Sequence, residues 1–336
     1  MKAAVLYRSD QPLVVEERPD PAPSPSDIVI KVRRCGICGS DLHVNQGPVR
    51  TVPGGMVMGH EFAGEIVELG ANVTSLDKGQ MVAVYPSTGC GACPACQTGN
   101  VNLCPKARHI MGGYAEYACV PAEAAVALAD GMTAAEGALI EPLAVGLYGV
   151  RLARINPGDR VLVLGGGAVA MAAVYWARRL GAGRIAAISR SDSRASLALD
   201  MGADSFIRYG EGEIEEVIET LGGVPDVVLE CVGVPGMLGK AIAHCRPFGN
   251  VLSLGFCNLP DPIVPAAAGF KSVTLQFPTG HTMKDFRHVA ASIRSGHVDP
   301  GRMITSVIPL TEVPAKFQAM LAGSAETKVQ IAPAGR

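Results

Sequence analysis

From Arg160 onward the chain repeats one pattern: a short apolar run, a turn, then a longer helix-like segment. RVLVLGGG leads into AVAMAAVYWARRLGA, RIAAIS into SDSRASLALDMGA, and DVVLECVG into PGMLGKAIAHCRP. NVLSLGF and SVTLQF are further strand candidates, with SFIR a short one. Strands that are apolar throughout and alternate with helices build a parallel sheet covered on both faces. The pattern sets in near Asn156-Pro157-Gly158-Asp159 and runs to about residue 284.

Residues 1 to about 145 read differently. DIVIKVRRC, EFAGEIVELG, QMVAVYP and GYAEYACVP are short strand-like runs punctuated by Gly and Pro, the pattern of a β-rich, barrel-like domain. The tail, from DFRHVAASIRSG to KVQIAP, holds a helix, a strand pair and another helix. It is too short to stand alone and is expected to rejoin the first domain. A chain of 336 residues with 48% apolar and 18% charged residues has enough material for two cores.

The formal net charge of −2 argues against nucleic acid or an anionic membrane as the main partner. No run of apolar residues is long enough to span a bilayer. The start, MKAAVLYRSDQPLVVEE, lacks the apolar stretch of a secretory signal, so a cytoplasmic protein is expected. In that setting the ten cysteines point to metal ligation and reduced thiols rather than to a disulfide framework.

Four of them, Cys90, Cys93, Cys96 and Cys104, follow C-x2-C-x2-C-x7-C. Thiolates at such offsets close a tetrahedron around zinc and leave no position for water or substrate, so this site is structural. An open site is sought upstream, in CGICGSDLH (35–43) and GHE (59–61). Sulfur, imidazole and carboxylate suit zinc, although Cys35 with Cys38 also fits a redox pair and His60 a structural histidine. The four-cysteine loop and the nucleotide motif favour the metal.

That motif is Gly165-x-Gly167-x-x-Ala170, placed between a strand and a helix. Gly165 permits the tight turn, and Gly167 lets backbone approach a pyrophosphate held at the helix start. Ala168, Val169, Val232 and Gly255 complete the candidate coenzyme contacts. The second strand ends at Ser189-Arg190, with Arg194 following, where an NAD site carries Asp or Glu. A missing carboxylate and a nearby arginine favour the 2′-phosphate of NADP(H) over NAD(H), unless Arg190 is merely a solvated surface residue.

Across nearly its whole length the chain resembles the zinc-dependent medium-chain dehydrogenases/reductases, on the alcohol, sorbitol and threonine dehydrogenase side. The carriers are CGICGSDLH, GHEFAGEIVELG, the four-cysteine loop, EPLAV (141–145) and NPGDRVLVLGGG. The resemblance implies an α/β protein: a Rossmann doubly wound parallel sheet (148–284) and a β-rich GroES-like catalytic domain (1–147, completed by 285–336). It implies two zinc ions per chain, small alcohol or carbonyl substrates, and a homodimer or homotetramer. Cys38 and His60 become catalytic zinc ligands, with Glu61 a direct or exchangeable one. Glu141 stands where the alcohol dehydrogenase branch has cysteine, and contacts zinc directly or through water unless it is only a helix-start carboxylate. Ser40 receives the alcohol proton and His43 passes it on, the alternatives being a turn serine and a surface histidine. Asp41 braces the turn or a ligand. Cys35, Cys119, Cys231, Cys245 and Cys257 are expected to be buried thiols. Two rivals are a metallohydrolase, which leaves the Gly165 motif without purpose, and a non-catalytic dinucleotide-binding protein, which does not need Cys38, His60 and Glu61 together. A third alternative is an NAD-dependent sorbitol- or threonine-type enzyme.

Overall fold

The computed structural model describes residues 1–44 and 49–333. Two compact units result: residues 1–141 with 282–293 and 304–336, and residues 142–281 with 294–303. The division falls at Pro142, inside the helix Ala134–Leu152.

The second unit is built on six parallel strands. Across the sheet they run Ser205–Arg208, Arg184–Ser189, Arg160–Leu164, Val227–Glu230, Asn250–Ser253 and Thr274–Gln276. Counted along the chain the order is 3-2-1-4-5-6, the doubly wound arrangement, with its switch point between Arg160–Leu164 and Val227–Glu230. Val161 to Leu164 and Val227 to Leu229 are all buried, as strands covered on both faces must be. The helix Ala168–Arg179 buries eight consecutive residues, Ala170 to Ala177. Its small side chains allow close packing: a Cβ on Gly146 of the neighbouring helix would lie 2.6 Å from that of Ala172.

In the first unit the ten-residue strand Asp27–Gly36 organises a seven-stranded sheet. Glu61–Leu69 runs antiparallel along one side, with Gly36 opposite Glu61 and Cys35 opposite Phe62. On its other side Tyr117–Pro121 pairs with Asp27 to Lys31, and Lys328–Ala332 pairs with Cys35 and Gly36. The strand Ile304–Pro309, the helix Val313–Leu321 and the strand Lys328–Ala332 form a parallel crossover within this unit. Ile28, Ile30, Val32, Phe62, Ile66, Val82, Val84 and Ile331 share its apolar core, and each buried side chain of this size contributes about 1.5–3 kcal/mol.

Among the cysteines expected to be buried, Cys35 and Cys245 are, whereas Cys119, Cys231 and Cys257 are only half-buried. Cys231 and Cys257 fall beyond strand ends, where the sheet no longer covers them. No helix among the described residues is long and apolar enough to cross a membrane.

Candidate metal and coenzyme sites

The pairing of the first sheet brings separate motifs to one point. Asp27–Gly36 ends two residues before Cys38, and its register places Gly36 beside Glu61, the first residue of the next strand. Ligand atoms of Cys38, His60 and Glu61 lie within 4.8 Å of one another. Cys38 caps the short helix Gly39–His43, and its amide donates to Asp41 Oδ2 at 3.1 Å. The Ser40 hydroxyl donates to Cys38 Sγ at 3.2 Å.

Asp41 is buried and lies 3.4 Å from His60 Nδ1. Its other oxygen accepts from the Tyr114 hydroxyl at 2.6 Å. Burial opposes the carboxylate, but His60, Tyr114 and the Cys38 amide hold its pKa below the ordinary value. At His60 burial opposes the charged ring, yet Asp41 and Cys38 raise its pKa well above that of a free imidazole. The point where these groups meet favours positive charge. Asp41 also fixes the ring so that Nε2 is left for a ligand role.

Behind Glu61 stands Lys328, with side-chain exposures of 1% and 2%. Its ammonium donates to Oε1 at 2.7 Å, to Oε2 at 2.6 Å and to the Ile37 carbonyl at 3.2 Å. Burial pushes the Glu61 carboxyl up while Lys328 pulls it down; the two short contacts favour the ion pair. At Lys328 burial lowers the pKa, and Glu61, with Cys38 and Glu141 contributing, raises it above the ordinary lysine value. Gly36 leaves room for this pair, since a Cβ there would overlap Glu61 Oε2. Glu141 is buried at 7% exposure and acts on Glu61 through charge, outside the cluster of three. His43 ends the short helix and is half-buried.

The sulfurs of Cys90, Cys93, Cys96 and Cys104 also gather within 4.8 Å. The helix Pro94–Gln97 is capped by Cys93 and carries Cys96, and Cys104 follows the 3-10 turn Val101–Leu103. The amides of Cys90 and Lys106 donate to Cys104 Sγ at 3.4 and 3.3 Å. Backbone donors at Ala92 and Cys93 bring the Cys90 thiol down to about 6, while burial pushes Cys96 up to about 11. Four sulfurs in one place, and sulfur with imidazole and carboxylate in the other, are both donor sets that zinc accepts.

In the parallel-sheet unit Gly165 has φ +120°, a conformation suited to glycine. Gly167 caps the helix that begins at Ala168, and a Cβ on it would meet nothing within 4 Å. Val169 follows in the same first turn. Gly166 sits under Ser189 and Arg194: a Cβ there would lie 3.2 Å from Ser189 Oγ and 2.9 Å from Arg194 Cδ. Arg194 is half-buried, which lowers its pKa, and Arg190 is exposed. Val232 follows the strand Val227–Glu230, and Gly255 follows Asn250–Ser253, both beyond the carboxyl edge of the sheet.

Residues 24–130 match the alcohol dehydrogenase GroES-like domain, and residues 168–295 match the zinc-binding dehydrogenase domain. L-galactonate-5-dehydrogenase of Escherichia coli (strain K12) is 30% identical over 327 residues, covering 94% of each chain. The chain belongs to the zinc-dependent medium-chain dehydrogenase family. Sorbitol dehydrogenase of Bacillus subtilis (strain 168) is 34% identical over 266 residues, 76% of this chain and 75% of that one. A structure described as a zinc-binding dehydrogenase from Sinorhizobium meliloti 1021 bound to NADP superposes with a TM-score of 0.88 at 31% identity, over 99% of both chains.

For this medium-chain dehydrogenase, reading the sequence overlooked Lys328, Tyr114, Gly166 and Glu230. A lysine opening the apolar run KVQIA was a visible signal, as was the glutamate ending DVVLE. Neither revealed its partner without the pairing of the strands.

Proposed function

We propose that the chain moves hydride between a secondary, polyol-like alcohol and NADP(H), interconverting the alcohol with its ketone or aldehyde. The observation that carries this reading is the meeting of Cys38, His60 and Glu61 at one point. It occurs in a chain that also has a Gly165-x-Gly167 turn at the switch point of a doubly wound sheet. Cys38 and His60 hold catalytic zinc, and Glu61 or Glu141 supplies an oxygen ligand. Cys90, Cys93, Cys96 and Cys104 hold a second, structural zinc. Zinc in the open site supplies Lewis acidity that lowers the pKa of an alcohol. Ser40, already beside the Cys38 sulfur, accepts the alcohol proton, and His43 passes it to solvent. Asp41 keeps His60 in the required tautomer, and Lys328 balances the charge of Glu61. Catalysis belongs to residues 1–147 and 285–336, and coenzyme binding to residues 148–284.

The preference for NADP(H) is supported by Ser189 and Arg194 at the Gly166 backbone, with no carboxylate ending that strand. Gly165, Gly167, Ala168 and Val169 receive the pyrophosphate, Ser189, Arg190 and Arg194 the 2′-phosphate, and Val232 and Gly255 line the same edge. A homodimer or homotetramer is supported by the edge strand Thr274–Gln276, flanked by Phe270 at 90% and Phe277 at 59% exposure. Thiol ligands fit a reducing compartment such as the cytoplasm.

Metal analysis with steady-state kinetics on a panel of polyols and sugar acids tests the proposal. About two zinc per chain and NADPH-linked turnover are expected. About one zinc without turnover refutes the catalytic reading, and a higher kcat/KM with NAD refutes the coenzyme choice.

A further inference from the structure

Glu230 has no part in the chemistry above, yet its carboxylate is buried and accepts hydrogen bonds on both oxygens. It ends the strand Val227–Glu230, at the switch point, and is 1% exposed. Its Oε1 accepts from the amides of Val232 at 2.6 Å and Gly233 at 2.8 Å. Its Oε2 accepts from the Ser253 hydroxyl at 3.0 Å. Its carbonyl accepts from the amides of Leu254 at 2.7 Å and Gly255 at 3.0 Å. One residue thus ties together the turns that follow two neighbouring strands.

Those turns lie in direct contact. A Cβ on Gly255 would fall 2.2 Å from Gly233 N and 2.9 Å from Glu230 Oε2. A Cβ on Gly165 would fall 3.3 Å from both Cys231 O and Val232 Cγ2. The segment 231–233 is therefore wedged between the Gly165 turn and the Gly255 turn. Burying a carboxylate is a poor route to stability, since an apolar group of similar volume does as well without the desolvation cost. What the carboxylate adds is one fixed course for the loop.

We propose that Glu230 is a positioning residue for the coenzyme, holding Val232 and Gly233 against the Gly165 turn so that the dinucleotide meets a preformed edge. This rests on the coenzyme reading given above. In open parallel sheets ligands bind outside the carboxyl ends of the strands at the switch point, where this clip stands. Without it, binding must order the loop, and affinity falls accordingly.

The test compares Glu230→Gln and Glu230→Leu with the wild type in the zinc-loaded enzyme, titrating NADPH and NADH by calorimetry. Glutamine keeps an acceptor for both amides, so its Kd is expected to stay within about threefold of wild type. Leucine removes every side-chain bond and should raise Kd about tenfold or more. Zinc content should be unchanged, and kcat at saturating coenzyme should stay within about threefold, so that the defect falls on the coenzyme KM. Should the leucine variant fail to fold, Ser253→Ala carries the test, with a rise in Kd of about two- to fivefold expected. Wild-type affinity in Glu230→Leu, or in Ser253→Ala if that variant stands in, overturns the inference while leaving the coenzyme reading intact. A wild-type enzyme that binds neither dinucleotide overturns both.

Discussion

Replacing Lys328 with methionine keeps most of the side-chain volume and removes the ammonium from both oxygens of Glu61. The two side chains are 2% and 1% exposed, so water cannot take over the lost contacts. Glu61 is then left as a buried acid that also feels Glu141. Breaking a buried pair by removing one partner costs about 3–5 kcal/mol, far more than the pair adds relative to an apolar substitute. The double variant Lys328→Met with Glu61→Gln should therefore recover about half of the Lys328→Met loss, about 2 kcal/mol, so that the costs of the two single changes do not add. Native-state hydrogen exchange across Asp27–Gly36, measured on zinc-loaded protein, reads the opening free energy of the sheet that carries the pair. Trp176, the single tryptophan, is buried in the other unit, and its unfolding transition serves as an internal control that should hardly move. A loss below about 1 kcal/mol, or strict additivity in the double variant, would show that the pair is not isolated from solvent and would refute the reasoning.

Other perturbations address other parts of the molecule. Asp41→Asn should weaken zinc binding at the open site by about 10–100-fold in chelator competition. Tyr114→Phe, which removes only the 2.6 Å bond to Asp41, should weaken it less, with the four-cysteine site unaffected in both. Arg194→Ala should reduce the ratio of NADPH to NADH affinity by about tenfold, and an unchanged ratio would remove Arg194 from coenzyme choice. At Asp226 burial opposes the carboxylate, but bonds from Arg160 and Arg246 bring its pKa down to about 2 from an ordinary 3.8. A depressed folded-state pKa contributes stability that is complete above the ordinary value and is lost as pH falls toward 2. Asp226→Asn should therefore lose about 2 kcal/mol less than wild type between pH 5 and pH 2 in urea titrations, with the two curves parallel above that range.

The parallel sheet was legible because strands such as RVLVL and DVVL are apolar on both faces, a property carried by the residues themselves. The gathering of Cys38, His60 and Glu61 was legible through local motifs and family resemblance, since each sits in a recognisable short stretch. Periodicity reports the surroundings of a strand but not the identity of its neighbour. Lys328 meets Glu61 only because Gln330 pairs with Gly36 and Gly36 with Glu61, two registers set by long-range contacts. Tyr114 was visible as part of a strand, but its hydroxyl acquires meaning only from Asp41. Gly166 lies between two motif glycines, and only packing shows that Ser189 and Arg194 crowd it. Cys231 and Cys257 were misjudged because burial at a strand end depends on what the next turn does.

The partners Glu61 and Lys328 are 267 positions apart in the chain. A ribosome releases the segments carrying Cys38 and His60 long before the lysine that neutralises their acidic neighbour. The parallel-sheet unit, drawn mainly from residues 142–281, is synthesised in between and has its strands complete while the earlier β-rich segment still lacks its closing strand. Vectorial synthesis therefore makes the pairing of Lys328–Ala332 with Asp27–Gly36, and with it the neutralising of Glu61, the last step in completing the surroundings of Cys38 and His60.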